Sequence, residues 1–295
     1  MADWRRGPAL TNVRVVKAID AKHANLAELL STSDVRWTAL VEQPRGDVWL
    51  ADARSAGRWI IKSERSIGSK GRWRSAFGRG PRAKAYRWGQ ALSTSSLVAV
   101  PAALLAAREA DGPRVEATIT PELRGPTLLE ALTHEDIDIA RHAAEYAGNH
   151  AQRLLAQNVW NRDHKPSNLA FDGAVERDRL RLVDLDGLRP LAGREHRAVL
   201  RMLVSMVIET LGVGRPLEPT VRWRLDHAFY NAAGPKGWEL LDDEINSIER
   251  LTSRVDQLVA GHGDPTPKRD PFEAERRRAA ISGAFGDDAD PGHTL

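Results

Sequence analysis

The chain reads as an α+β protein of two lobes, a small antiparallel sheet followed by a mainly helical part. Short β-like runs crowd into residues 35–64, and helical periodicity takes over beyond about residue 123. A length of 295 residues suits one two-lobed body better than two independent domains. Four segments follow: a helical leader at 1–34, a sheet lobe at 35–122, a helical lobe at 123–262 and a disordered tail at 263–295. Charged residues at 28% and hydrophobic ones at 42% place the chain among soluble globular proteins. The absence of cysteine excludes disulfides and thiolate metal sites, and nine scattered histidines lack the close pairing of a zinc site. No apolar segment follows Met1, and no run approaches the ~20 apolar residues of a spanning helix, so a cytoplasmic protein is expected.

In the leader, Ala21, Ala24, Leu26, Ala27, Leu29 and Leu30 give a helical period that stops at Ser31-Thr32-Ser33. Three strands come next, Val35–Val41, Asp47–Ala53 and Arg58–Glu64. Pro44-Arg45-Gly46 and Arg54-Ser55-Ala56-Gly57 separate them, which predicts a meander. Strand alternation puts Ile60 and Lys62 on one face of the third strand. A turn-rich stretch at 65–81 precedes a helix at Arg82–Leu92. Leu97–Ala107 and Val115–Ile119 read as two further strands, and Thr120–Gly125 as the hinge between lobes.

Beyond the hinge, Ile139, Ala143, Ala147, Ala151 and Leu154 mark the buried stripe of a helix from about Asp136 to Gln157, with Thr133 as its N-cap. A hairpin of Ala170–Asp172 and Arg179–Asp184 follows, turned by Asp172-Gly173. His196–Leu211 is apolar and helical enough to be the lobe's central helix, and Thr220–Tyr230 and Trp238–Val259 add further helices. From Gly261 the chain turns polar, with one short helix around Glu273–Ile281 in an otherwise disordered tail.

The net charge of +3 hides an asymmetry. From Lys62 to Arg87 nine basic side chains face one acid, Glu64, so that stretch carries +8 and the remainder −5. With Trp73 and Phe77 interleaved, it reads either as a solvated surface or as a grip for an anionic partner: phosphorylated glycolipid, membrane headgroups or RNA.

The densest chemistry lies at Asn161-Arg162-Asp163-His164-Lys165-Pro166-Ser167-Asn168, just ahead of Leu180-Arg181-Leu182-Val183-Asp184-Leu185-Asp186-Gly187. An aspartate, an asparagine five places later and an aspartate ending a following strand are what Mg-ATP phosphoryl transfer requires. Arg162-Asp163-x-Lys165-Pro166-x-Asn168-Leu169 resembles the catalytic loop of the protein-kinase-like superfamily. The short Val183-Asp184-Leu185-Asp186 ending looks more like the bacterial lipopolysaccharide core kinases that phosphorylate Kdo or heptose. Outside residues 35–190 the likeness is one of pattern.

The resemblance implies a protein-kinase-like fold, an antiparallel-sheet N-lobe over a helical C-lobe, with ATP and Mg2+ between them. It implies that Asp163 directs the acceptor hydroxyl and that Lys165 neutralises the transferring phosphoryl group. Asn168 and Asp184 would hold the metal; Asp186, followed by Gly187, competes with Asp184 or supplies a second ligand. Lys62 would reach the α/β-phosphates while Ile60 roofs the adenine, although a lysine at a strand end also commonly reaches solvent. Gly46 is all that remains of a glycine-rich phosphate loop.

Three departures matter. Asn161 replaces the histidine usual before Arg-Asp, and the glycine loop is stripped. More seriously, the helix at 82–92 has no glutamate for Lys62, leaving Glu64 or Gln90 as substitutes and a catalytically silent nucleotide-binding module as an open alternative. Between Asp186 and His196 lie only nine residues, too few for the platform on which protein kinases hold a peptide. A sugar hydroxyl of an anionic glycolipid is therefore preferred over a protein Ser/Thr acceptor. The 65–87 stretch would touch the inner membrane face peripherally, and nucleic acid is not the expected partner.

Overall fold

The computed structural model describes residues 10–26, 35–54, 57–66, 79–109, 112–175, 179–193, 195–234, 238 and 245–262. Strands β1 (Leu10–Ala18), β2 (Val35–Val41), β3 (Val48–Ala53), β4 (Gly57–Arg65), β5 (Ala103–Glu109) and β6 (Arg114–Pro121) form one antiparallel sheet. Their order is β1-β5-β6-β4-β3-β2. The β2–β3–β4 meander forms where alternating Val, Trp, Ile and Ala runs are broken by turn residues. Its inner face packs Val35, Ala51, Ala53, Trp59 and Ile61 against Ala117 and Ile119 of β6.

Helix α1 (Pro81–Ala91) starts with proline at its first position, where the missing N–H costs nothing. Helix α2 (Leu128–Leu132) follows β6, opened by a capping box in which Thr127 and Glu130 satisfy each other's backbone N–H groups. Helix α3 (Ile137–Ala156) buries Ala143, Ala147, Ala151 and Leu154 completely, the small-residue stripe that its sequence period requires. Strand β7 (Val159–Asn161), the hairpin β8 (Leu169–Phe171) and β9 (Leu180–Leu182), and strand β10 (Leu188–Pro190) carry the chain under the sheet lobe. Helices α4 (Glu195–Gly212), α5 (Pro219–Ala233) and α6 (Ile248–Gly261) complete the lower lobe. The result is an α+β, two-lobed fold: a six-stranded antiparallel sheet over a mainly helical lobe.

Several elements differ from the sequence reading. The leader expected to be helical contributes instead an edge strand, β1, paired with β5 through two irregular steps in register. Val13 and Val15 alternate with exposed Asn12 and Arg14 and pack on the sheet core, so period 2 prevails over the helical period that starts ten residues later. Of the residues carrying that helical period, Ala21–Asn25 form a 3-10 turn capped by Asp20 and Leu26 is helical, while 27–30 lie outside the described residues. Thr133 is not the cap of α3; it ends α2 by donating to the Leu129 carbonyl, and Asp136 caps α3. The Leu97–Ala107 run divides, since only Ala103 onward is strand, whereas Leu97 and Ala99 bond the backbone of Leu182 in the lower lobe. The turn-rich stretch at 67–78 and the tail at 263–295 lie outside the described residues.

Candidate active site

A cleft open to solvent lies between the sheet and the lower lobe. The β4 register faces Ile60 to Thr120 and Lys62 to Thr118, and all four side chains line the cleft. Pro121 and Leu123, from the link between lobes, form one wall, and Val183 and Leu185 form the floor. This apolar slot ending in an ammonium group can take a flat heterocycle with anionic groups pointing towards Lys62.

The loop after β7 is held from both ends. Arg162 N–H donates to the Gly187 carbonyl, and Val183 N–H donates to the Asn168 carbonyl. The loop is thereby fixed between the strands that flank the Asp184–Gly187 turn. Asn161, fully buried, does the anchoring within it: its Oδ1 accepts from Asp163 N–H at 3.2 Å and its amide donates to the Asp163 carbonyl at 3.1 Å. Gly187 is required at its place, because a Cβ there would lie 1.9 Å from Asn161 Oδ1. Asn168 turns its amide nitrogen inward, to the Asp163 carbonyl at 2.9 Å, so its oxygen is directed elsewhere. Lys165 Nζ stands 3.0 Å from Asp163 Oδ1.

The upper lobe meets this loop through charge. Lys62 Nζ lies 2.6 Å from Asp184 Oδ2 and 3.8 Å from Asp186 Oδ2. Burial pulls the Lys62 ammonium below its ordinary pKa, Asp184 opposes that shift, and the neighbouring Arg82 guanidinium adds to it. Arg82, 3% exposed on the first turn of α1, pairs with Asp186 and reaches within 3.5 Å of Glu64 Oε2. Its own pKa is pulled down by burial against the carboxylates of Asp184 and Glu64.

Ile60 and Lys62 thus line the cleft, Asp184 and Asp186 meet Lys62 from the lower lobe, and the loop carrying Asp163, Lys165 and Asn168 is bonded through its backbone to the turn that bears those two carboxylates. Neither substitute for the helix glutamate serves Lys62 by direct contact. Glu64 turns to Arg82 and acts on Lys62 only through its field, and Gln90 donates to the Pro101 carbonyl. Gly46 is not among the cleft-lining residues; it packs on β4, where a Cβ would lie 2.1 Å from the Ser63 carbonyl oxygen. Arg82 is the site residue that the sequence reading missed, one of nine cations in a run read as surface. Its single hint was its place on the first turn of a helix expected over the cleft.

Among the described residues no group of three or more His, Cys, Asp or Glu could cage a metal ion unaided. A carboxylate and an amide oxygen, from Asp184 and Asn168, nevertheless fit Mg2+, which dehydrates reluctantly and completes its shell with phosphate oxygens and water.

No protein-family model matches the chain, and no curated protein matches it. Among solved structures the chain is similar to WaaP in complex with acyl carrier protein, at 13% identity and a TM-score of 0.48, covering 77% of this chain and 89% of that one.

Proposed function

We propose that the protein is a phosphotransferase that moves the γ-phosphate of Mg-ATP to an alcohol. The observation carrying this reading is the 2.6 Å contact between Lys62 of the sheet lobe and Asp184 of the lower lobe, beside the loop holding Asp163, Lys165 and Asn168. A cation for phosphates, oxygen ligands for a hard metal and a carboxylate for a hydroxyl meet in one groove. Those are the parts that in-line phosphoryl transfer needs.

Adenine would occupy the slot beneath Ile60, with Lys62 leaving Asp184 for the α/β-phosphates. Asp184 and Asn168 would hold Mg2+, whose chemistry is to neutralise charge on the phosphate oxygens. Asp163 accepts a hydrogen bond from the acceptor hydroxyl, orienting its oxygen towards the γ-phosphorus. Lys165 releases Asp163 and offsets charge on the phosphoryl group in flight.

The acceptor is proposed to be a sugar hydroxyl of an anionic, lipopolysaccharide-type glycolipid. The chain passes from the Asp184 turn straight into β10 at Leu188–Pro190 and then α4 at Glu195, which leaves no shelf for a peptide. Among the described residues no helix is long and apolar enough to cross a membrane. Access to such a substrate would be peripheral, from the cytoplasmic face, through the basic 65–87 stretch.

A catalytically silent nucleotide-binding module is the second reading, favoured because α1 offers Lys62 no glutamate and brings the Arg82 guanidinium near it instead. Transfer of labelled phosphate from ATP to a panel of sugars, glycolipids and proteins separates the two. Turnover abolished by Asp163→Ala supports the enzyme; ATP binding that needs Asp184, without turnover by the unaltered protein, supports the silent module.

A further inference from the structure

We propose that Arg82 is a positioning residue that commits Asp186 to an ion pair and so leaves Asp184 as the one turn carboxylate available to a metal. The inference rests on the phosphotransferase reading of the cleft and concerns how its charges are divided.

Two cations meet the carboxylates of Asp184, Asp186 and Glu64 here, with buried Glu116 of β6 acting on Arg82 as well, and their pairing is unequal. Lys62 Nζ is 2.6 Å from Asp184 but 3.8 Å from Asp186, whereas Arg82 contacts Asp186 and, at 3.5 Å, Glu64. By direct contact lysine is thus assigned to Asp184 and arginine to Asp186 and Glu64, while the Asp184 carboxylate acts on Arg82 only through its field. The pairs also differ in mobility. Lys62 has a flexible stem and a point charge that can swing from a carboxylate to a phosphate. Arg82 is a planar fork at 3% exposure, packed under the sheet, and withdrawing it would strand charge in a buried place.

Asp186 is further restrained by its own surroundings. Its N–H donates to Asp184 Oδ1 at 3.3 Å and its carbonyl accepts from Arg189 Nη1 at 2.8 Å, while Arg82 engages its Oδ2 and its Oδ1 is buried with no hydrogen-bond partner among the described residues. Asp184 has Lys62 as its only ion-pair partner among the described residues, whereas Asp186 has Arg82 as well as the more distant lysine. An incoming triphosphate that attracts Lys62 therefore uncovers Asp184 and leaves Asp186 where it is. An arginine on α1 accomplishes by holding a carboxylate away what a glutamate would accomplish by holding the lysine.

The test uses the full chain in two measurements. The first is a double-mutant cycle of Arg82→Gln and Asp186→Asn on unfolding without nucleotide. Each single change should destabilise, and the double variant should lose no more than the worse single one; additive losses would overturn the pairing. The second is ADP affinity with Mg2+ and with EDTA. Asp184→Asn should lose at least tenfold of the gain that Mg2+ confers, and Asp186→Asn should keep that gain to within threefold. Adding Arg82→Gln to Asp184→Asn should restore part of it, because Asp186 is then free to act as a ligand, a recovery that a purely structural role for Arg82 would not produce. Loss of the Mg2+ gain in Asp186→Asn but not in Asp184→Asn would overturn the assignment. Failure of the unaltered protein to bind ADP would instead sink the phosphotransferase reading, and the unfolding cycle would still decide the ion pair.

Discussion

Asp163 does its proposed work with one carboxylate oxygen, and the loop spends its other contacts on holding that residue still. Asn161 grips its backbone from one side and Asn168 from the other. Asp163→Ala should therefore lower transfer by about 10²- to 10⁴-fold, the usual range for a positioned proton acceptor, while ATP affinity changes little. Single-turnover transfer measured beside nucleotide titration checks this split, and a parallel loss of affinity would contradict it. A second consequence concerns His164, which stacks on His150 at 5.5 Å in a fully buried pocket. Burial lowers both imidazole pKa values, that of His150 from 6.5 to about 4, although its Nε2 also donates to the Leu97 carbonyl. The folded form keeps both rings neutral, whereas the unfolded chain takes up their protons near 6.5. Stability is therefore full above that pH and is lost as pH falls towards 4, by roughly 3 kcal/mol for His150 alone. His164→Leu should flatten the fall between pH 6.5 and 4.5 in denaturant titrations; an unchanged slope would show that the pair is not its source. Asp163, Asn168 and Asp184 were legible because their spacing is local and chemically constrained. His164 was not, since a histidine letter does not disclose that Phe229 of α5, sixty-five residues on, will pack against it.

At the scale of elements, the turn at Asp184–Gly187 and strand β7 fit together through one missing side chain. A Cβ on Gly187 would meet Asn161 Oδ1 at 1.9 Å and the Asp163 nitrogen at 3.0 Å, so Gly187→Ala must push the turn off the loop. The expected cost is about 1–3 kcal/mol in stability, as for overpacking elsewhere. Transfer should fall by more than the lost folded fraction explains, because Asp163 and Asp184 move apart. Activity per folded molecule, with folded fraction taken from circular dichroism, distinguishes the two effects. The elements that the sequence made readable are those with a long, clean period: the β2–β4 meander, α3 and α4. Strands β7 and β10 are three residues each and exist only because they pair with each other, so no local pattern marks them. β1 is similar, since Val13 and Val15 alternate for too few residues to outweigh the alanine and leucine run beyond them.

Across the whole molecule, the two lobes are not divided where the chain divides. Helix α1 belongs to the upper lobe by sequence, yet Ala85 and Leu92, with Leu97 and Val98 of the segment beyond it, share one continuous core with Leu169, Leu182 and Leu185 below. The sheet has a separate core, built around Ala51, Ile61 and Ile119. Leu182 N–H donating to the Leu97 carbonyl, and Ala99 N–H to the Leu182 carbonyl, tie the segment after α1 to hairpin strand β9. The sheet therefore rests on a base that already contains α1, and Lys62–Asp184 is a direct charge contact spanning the cleft between them. Mg-ATP filling that cleft should bridge sheet and base, replacing one ion pair by many contacts. A ligand that binds only the folded form stabilises it by about 2.7 kcal/mol at a hundredfold excess over its Kd. That amounts to a rise of several degrees in Tm for a protein of this size. The rise should require Mg2+ for its full extent, shrink in Asp184→Asn and nearly vanish in Lys62→Met, which removes the sheet's side of the bridge. A Tm that rises equally in Lys62→Met would mean that nucleotide binds away from the cleft, and the shared base of the two lobes would then have no part in holding it.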